Sequence, residues 1–157
     1  MDAQEVTLER ELAYLRLYLS IEQMRFSDRL VVRIEADADV LDAAVPHMGL
    51  QPVAENAVRH GIGCHVAGGS IDVRASRIGT RLHITVQDSG EGPRTGSPAG
   101  RGLGLSNLRA RLTQLHGEEG ELRIDCTGSG AVVEMILPYR RHVAASQETL
   151  SLDSVDS

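Results

Sequence analysis

Between Thr7 and about Phe26 the chain has no Gly or Pro and is rich in strong helix formers, which predicts a helix. Its apolar residues fall on two faces. Leu8, Leu12, Leu15 and Leu19 form one narrow stripe, and Tyr14, Leu17, Tyr18, Ile21 and Met24 form a second, broader one. A helix lying on a single domain needs one apolar face. Two faces leave two readings open: both are buried within one domain, or one packs on a different body.

Leu30 to Glu35 alternates as a short strand and is followed by an Asp/Ala stretch that reads as a loop. A second helix starts after Val45 and is expected to stop at Gly61, a residue suited to a C-terminal cap. Pro52 either kinks that helix or sits in its first turn. Ile71 to Ile78 and Arg81 to Gln87 alternate around Gly79-Thr80, the pattern of a hairpin. Glu91 to Arg101, crowded with Gly, Pro, Ser and Thr, predicts a loop that is mobile without ligand. A third helix runs from Leu105 to Leu115, with Leu105, Leu108, Leu112 and Leu115 inward, and stops at Gly117. Glu121 to Cys126 and Ala131 to Leu137 predict a second hairpin. The chain loses its pattern beyond Tyr139, and 141–157 is expected to be a disordered tail. The sum is an α/β two-layer sandwich, a mixed and mainly antiparallel sheet with helices on one face.

Composition narrows the function. A length of 157 residues fits one domain with a real core. The net charge of -6, without a Lys/Arg cluster, argues against nucleic acid as a partner. Phe26 is the only phenylalanine and tryptophan is absent, so aromatic platforms for stacking bases are scarce. Cys64 and Cys126 form neither a disulfide framework nor a zinc site, which points to a reduced, cytoplasmic setting. No apolar run reaches the length of a membrane span.

Three blocks carry candidate chemistry. In Gln51-Pro52-Val53-Ala54-Glu55-Asn56-Ala57-Val58-Arg59-His60-Gly61, helical spacing puts Asn56, Arg59 and His60 on one side. A neutral amide oxygen suits Mg2+, which takes its remaining ligands from water and phosphate, and Arg59 and His60 suit phosphate charge. The plain alternative is a polar outer helix face. Asp88 ends an apolar strand and precedes Ser89-Gly90-Glu91-Gly92. Such an acid accepts a hydrogen bond from an exocyclic amine, and Gly90 and Gly92 let backbone approach a flat ring. Alone, it also reads as a common turn. Gly100, Gly102 and Gly104 open straight into a helix, whose free N–H groups and dipole favour phosphate. No Gly-Lys-Ser/Thr follows, and Asn107 stands where a dinucleotide fingerprint needs its third glycine.

In this order the blocks resemble the N, G1 and G2 boxes of the GHKL ATPase superfamily, which includes histidine kinases, gyrase, Hsp90 and MutL. Leu50 to Gly61 and Gly102-Leu103-Gly104-Leu105-Ser106-Asn107-Leu108-Arg109-Ala110-Arg111-Leu112 are similar to the corresponding boxes of LytS/YehU-type sensor histidine kinases. Glu11 to Leu15 and Ile21 to Phe26 resemble their segment joining the phosphoacceptor region to the ATPase domain. The resemblance spans about Leu8 to Tyr139 and implies the Bergerat (GHKL ATPase) fold. It divides the chain into a linker helix (1–27), an ATP-binding kinase domain (28–140) and the tail. It implies ATP and Mg2+ as cofactors. Asn56 would ligate the metal, with Arg59 and His60 on the phosphate side. Asp88 would bind the adenine amine, with Gly90 and Gly92 shaping its pocket. Gly102, Leu103, Gly104 and Leu105 would close a lid over the phosphates. The implied reaction moves the γ-phosphoryl group to a histidine and onward to a response regulator, in a homodimeric parent anchored in the plasma membrane of a bacterium.

The chain departs from the family pattern in places. Pro52 sits one turn before Asn56, where many members have a catalytic acid or second amide, so either Glu55 substitutes or the domain hydrolyses ATP poorly. Ala131 stands where related domains often have a Thr near the adenine. No phosphoacceptor helix is present, and His47, although it follows Pro46, belongs to the ATPase part; the chain is expected not to phosphorylate itself. The alternative is a nucleotide-gated, partner-binding module of the same superfamily, similar to anti-sigma proteins.

Overall fold

The computed structural model describes residues 5–26, 29–62, 69–89, 102–127 and 130–142. Five strands make the main sheet: β2 (Leu30–Ala36), β4 (Gly69–Ile78), β5 (Arg81–Asp88), β7 (Gly130–Pro138) and β6 (Glu121–Thr127), in that spatial order. Only the β2–β4 pair is parallel; the other three are antiparallel. A separate two-stranded ladder pairs β1 (Glu5–Thr7) with β3 (Ala44–Pro46).

Period-two alternation decides which face of the sheet is covered. Ile71, Val73 and Ala75 of β4, Leu82, Ile84 and Val86 of β5, and Val133, Met135 and Leu137 of β7 are buried in one core. The opposite face carries Arg33, Asp72, Arg74, His83, Arg123 and Glu134, joined across strands by contacts such as His83 Nδ1 to Glu134 at 2.9 Å. Gly79 takes φ +63°, the left-handed conformation that the two-residue β4–β5 turn requires.

Helix α1 (Leu8–Arg25) starts at Thr7, whose hydroxyl accepts the Arg10 N–H at 3.2 Å. Its narrow stripe is sealed into the core: Leu8, Leu12, Leu15 and Leu19 are at most 1 % exposed. Burying each leucine stabilises the fold by roughly 1.5–3 kcal/mol. The broader stripe faces the other way, with Leu17 60 % and Met24 78 % exposed, and only Tyr18 packs against the core.

Helix α2 (Leu50–Asn56) continues without a break into a π-helical turn, Ala57–Ile62, so Gly61 lies inside the helical path rather than capping it. Helix α3 (Gly102–His116) begins three residues before the apolar pattern does. Arg109 donates to the Leu122 carbonyl at 2.8 Å, fixing α3 over β6. Residues 139–141 are tied to β1 and to the segment after β2: Arg140 pairs with Glu5, Arg141 with Asp42, and Tyr139 donates to the Asp39 carbonyl at 3.1 Å. Residues 143–157, on which most of the expected tail falls, lie outside the described residues.

Candidate functional site

Four polar or charged residues are buried among the described residues: Glu11, Glu22, Asn56 and Asp88. Two are explained by visible partners. Glu22 accepts from Arg25 at 2.8 Å, and Glu11 accepts the backbone N–H groups of Met48 at 2.8 Å and Leu50 at 3.4 Å. Asn56 differs. It is 5 % exposed, and neither its Oδ1 nor its Nδ2 meets a hydrogen-bond partner among the described residues. A buried amide left in that condition costs about 1–3 kcal/mol, which a fold does not carry without a use.

Local structure explains how Asn56 comes to be there. Pro52 is the third residue of α2, where the missing N–H has no intrahelical acceptor to lose. Leu50, Val53, Ala54 and Ala57 point the inner face of the helix into the core. Asn56 is the last α-helical residue before the wider π turn, a geometry found mostly at functional sites. Beside it Glu55 is half-buried and accepts from Gln51 Nε2 at 3.3 Å, and Arg59 is exposed. The side chain of His60 lies outside the described residues.

Asp88 is the last residue of β5, 4 % exposed, and sits between Ile71 of β4 and Ala131 of β7 in the ladder. The strand end is latched by two hydrogen bonds: Ser89 N–H donates to the Ser70 carbonyl at 3.0 Å, and Ser70 N–H donates to Ser89 Oγ at 2.8 Å. Its side chain lies on the covered face of the sheet, in line with Ile84 and Val86. Gly90, Gly92 and the 91–101 loop lie outside the described residues.

The elements that carry the blocks adjoin. The π turn lies against β5, and α2 lies against α3. The second of these contacts is close: a Cβ placed on Gly104 would sit 3.3 Å from Pro52 Cβ. Proline and glycine therefore let the first and third blocks meet almost backbone to backbone. Leu105 anchors the start of α3 in the core at 3 % exposure, Gly104 faces solvent, and the side chain of Leu103 is not described. No cluster of three His, Cys, Asp or Glu suited to a metal exists among the described residues. A cation here would depend on a single amide and on ligand oxygens, which is the donor set Mg2+ accepts.

Residues 42–141 match the family described as histidine kinase-, DNA gyrase B-, and HSP90-like ATPase. The chain belongs to this family. The ATPase domain so identified is similar to the sensor protein LytS of Oceanobacillus iheyensis, at 34 % identity over 86 % of this chain and 25 % of that protein. It is equally similar to the sensor histidine kinase/phosphatase LytS of Staphylococcus aureus, at 34 % identity over 87 % of this chain and 25 % of that protein. The chain spans about a quarter of the length of these relatives. Among solved structures, the histidine kinase domain of the Erythrobacter litoralis EL346 blue-light activated histidine kinase is 26 % identical with a TM-score of 0.62. That match covers 84 % of this chain and 61 % of that one. The catalytic domain of the histidine kinase ThkA shares the fold, with a TM-score of 0.65 at 19 % identity over 85 % of this chain and 95 % of that one.

Other histidines have structural surroundings. His47 stacks edge-on against Tyr14 at 6.5 Å and lies 3.7 Å from Glu11, between α1 and the start of α2. His142 contacts the Glu5 carbonyl at 3.0 Å, and His65 lies outside the described residues. Burial, and after it the nearby Arg140, pushes the His116 imidazole below its ordinary value, while Glu5 and Glu119 oppose this. The Tyr18 phenol is pushed up to about 12, first by burial and then by the charges of Glu22 and Glu55. Sequence reasoning missed Glu11 and Glu22. The signal was there, as two acids embedded in the stripe Leu8, Leu12, Leu15, Leu19 that becomes the buried face of α1.

Proposed function

We propose that this ATPase domain is the ATP-binding catalytic domain of a two-component sensor histidine kinase. The observation that carries the proposal is the orphaned, buried amide of Asn56 on an N-box helix, in a chain 34 % identical to LytS sensor proteins over most of its length. Its Oδ1 would hold Mg2+, which would supply charge neutralisation to the phosphates. Arg59 and His60 would flank the phosphates. Asp88 would accept the adenine 6-amine, with Gly90 and Gly92 beneath the ring. Gly102, Leu103, Gly104 and Leu105 would bring backbone N–H groups at the start of α3 to the phosphate chain.

In the transfer, an imidazole nitrogen of the acceptor histidine bonds to the γ-phosphorus. The bond from that phosphorus to the bridging oxygen breaks, and ADP leaves with the electron pair. Glu55, one residue before Asn56, would take the imidazole proton. The remaining work is positioning and charge neutralisation. The acceptor histidine, dimerisation region, membrane anchor and response regulator belong to the parent assembly in this reading. A solved complex of ThkA with its response regulator TrrA shows that pairing for ThkA. No described helix is long and apolar enough to cross a membrane. The anti-sigma-like alternative is not favoured, because the named relatives are sensor kinases.

Calorimetric titration tests this reading. ATP should bind, more tightly with Mg2+ than without, and GTP should bind far more weakly because its ring offers Asp88 a carbonyl where adenine offers an amine. Equal binding of ATP and GTP, or no effect of Mg2+, would refute it.

A further inference from the structure

Helix α2 begins without a cap of its own. Its N-cap residue is Gly49, which has no side chain, and Met48 before it holds φ +61°, a left-handed conformation that a methionine adopts only under constraint. The first helical N–H, that of Leu50, and the N–H of Met48 just before the helix are satisfied from another element. Glu11 on α1, 2 % exposed, accepts Met48 N–H through Oε2 at 2.8 Å and Leu50 N–H through Oε1 at 3.4 Å. One carboxylate thus grips the start of the N-box helix from 37 and 39 residues away in sequence, and its charge complements the positive end of that helix. The grip is enclosed: His47 lies 3.7 Å from the same oxygen, and Tyr14 covers His47.

We propose that Glu11 is a positioning residue for the nucleotide site, through which the placement of α1 sets the orientation of α2 and hence of Asn56. The proposal rests on the nucleotide-binding reading above. Leu50 and Asn56 are six residues apart on one short helix, so the gripped end and the site end are only ~9 Å apart. A tilt of about 10° at the gripped end displaces Asn56 by about 1.5 Å, and misplacements of that size cost reactions on the order of 100-fold. Helix α2 also lies close to α3, where a Cβ added at Gly104 would stand 3.3 Å from Pro52 Cβ. A carboxylate buried only to fill space would be replaceable by an apolar residue. Here it supplies two hydrogen bonds that no side chain in the 47–49 segment donates or accepts in its place. Since α1 shows solvent its apolar residues Leu17, Ile21 and Met24, whatever holds that face also acts on Glu11, and through it on the site.

The test uses the full chain with Glu11→Ala and Glu11→Gln, folded state checked by circular dichroism and titrations run well below each melting temperature. Mg-ATP affinity is measured by calorimetry, with hydrogen exchange of the Met48 and Leu50 amides recorded with and without Mg-ATP. Glu11→Ala should weaken Mg-ATP binding on the order of tenfold, and Glu11→Gln less, since its amide oxygen still accepts one N–H. Mg-ATP should slow exchange at Met48 and Leu50 in the wild type and lose that effect in Glu11→Ala. A purely structural role would lower the melting temperature and leave the affinity of folded protein unchanged, which overturns the proposal. Should Glu11→Ala not fold, full affinity and unaltered protection in Glu11→Gln overturn it equally. A wild-type chain that binds no Mg-ATP overturns both this proposal and the functional reading, whereas wild-type binding with unaffected variants overturns this one alone.

Discussion

Replacing Asn56 with leucine should make the empty protein more stable while destroying its binding site. The side chains share the same number of heavy atoms and the same branching, and Asn56 is only 5 % exposed with both amide atoms lacking partners among the described residues. The substitution therefore removes a desolvation penalty of about 1–3 kcal/mol and adds apolar contact with the core around Val53 and Ala57. Allowing for imperfect fit of the branched side chain, the expected gain is about 1–2 kcal/mol, or roughly 2–8 °C in melting temperature for a chain of this size. The assay is a thermal melt without nucleotide, followed by titration with ATP and Mg2+. Binding that depends on Mg2+ should vanish, since leucine offers the cation no oxygen. A fall in melting temperature would mean that the amide already serves the fold. A stabilised protein that still binds Mg-ATP as the wild type does would mean the cation is held elsewhere. Either result refutes the reasoning, which rests on the trade between stability and function at an unsatisfied buried group.

Asp88→Ala should abolish the preference for ATP over GTP while circular dichroism stays native, because the Ser70–Ser89 latch and the strand ladder still hold the end of β5. Loss of the fold would show that the carboxylate is structural. Gly104→Val puts branched methyl groups against Pro52, where even a Cβ would stand at 3.3 Å, so Mg-ATP affinity should fall several-fold. Its melting temperature should change little, since the gain in helix propensity of about 0.3–0.5 kcal/mol partly offsets the crowding; an unchanged affinity in a titration would contradict the contact's role. For His116, burial lowers the folded pKa below the unfolded 6.5, so the unfolded chain takes up its proton first as pH falls. This contribution to stability is fully present above 6.5 and is lost below it, towards the folded value. His116→Gln should therefore flatten the decline in melting temperature between pH 7.5 and 5.5, and an unaltered slope would place the titration on another group.

Much of the fold was legible because most elements are amphipathic with a regular period. The stripe Leu8, Leu12, Leu15, Leu19 marks the inner face of α1, and the alternation of β4 and β5 with Gly79 between them fixes that hairpin and its register. The two apolar faces of α1 left its packing open, and the structure resolves it by burying only the narrower one. Three-residue strands such as β1 and β3 carry too few positions for any period, so the segment before Pro46 read as a loop. Gly61 looked like a stop because glycine ends many helices, yet the π turn carries the helical path through it to Ile62. The start of α3 was placed late because its first turn is glycine-rich and shows no apolar stripe. The parallel pairing of β2 with β4 was invisible, since alternation is the same in either direction.

At the site, residue types and spacing pointed to Asn56 and Asp88, and burial of both inside an otherwise apolar layer is what distinguishes them from surface polar residues. What spacing does not convey is support across the fold. Glu11 stands out in sequence only as an acid within a leucine stripe, and its grip on Met48 and Leu50 exists only once α1 lies across the start of α2. The same holds for Pro52 and Gly104, which look like a helix disturbance and a loop glycine until the helices are packed together.

In the proposed site, Asn56 meets a phosphate-bound cation while Asp88 reads the adenine ring. Titration of the isotope-labelled chain by two-dimensional NMR with ATP alone, Mg-ATP and Mg-GTP addresses this arrangement directly. The account predicts that the Asn56 side-chain amide signals move only when Mg2+ is present. Backbone signals at Asp88, Ile71 and Ala131 should move with either form of ATP and stay still with GTP. Shifts confined to another region, such as the groove of about 260 Å³ lined by Arg16, Ser20, Gln23, Val32 and Ile34, with Asn56 and Asp88 unmoved, would contradict it.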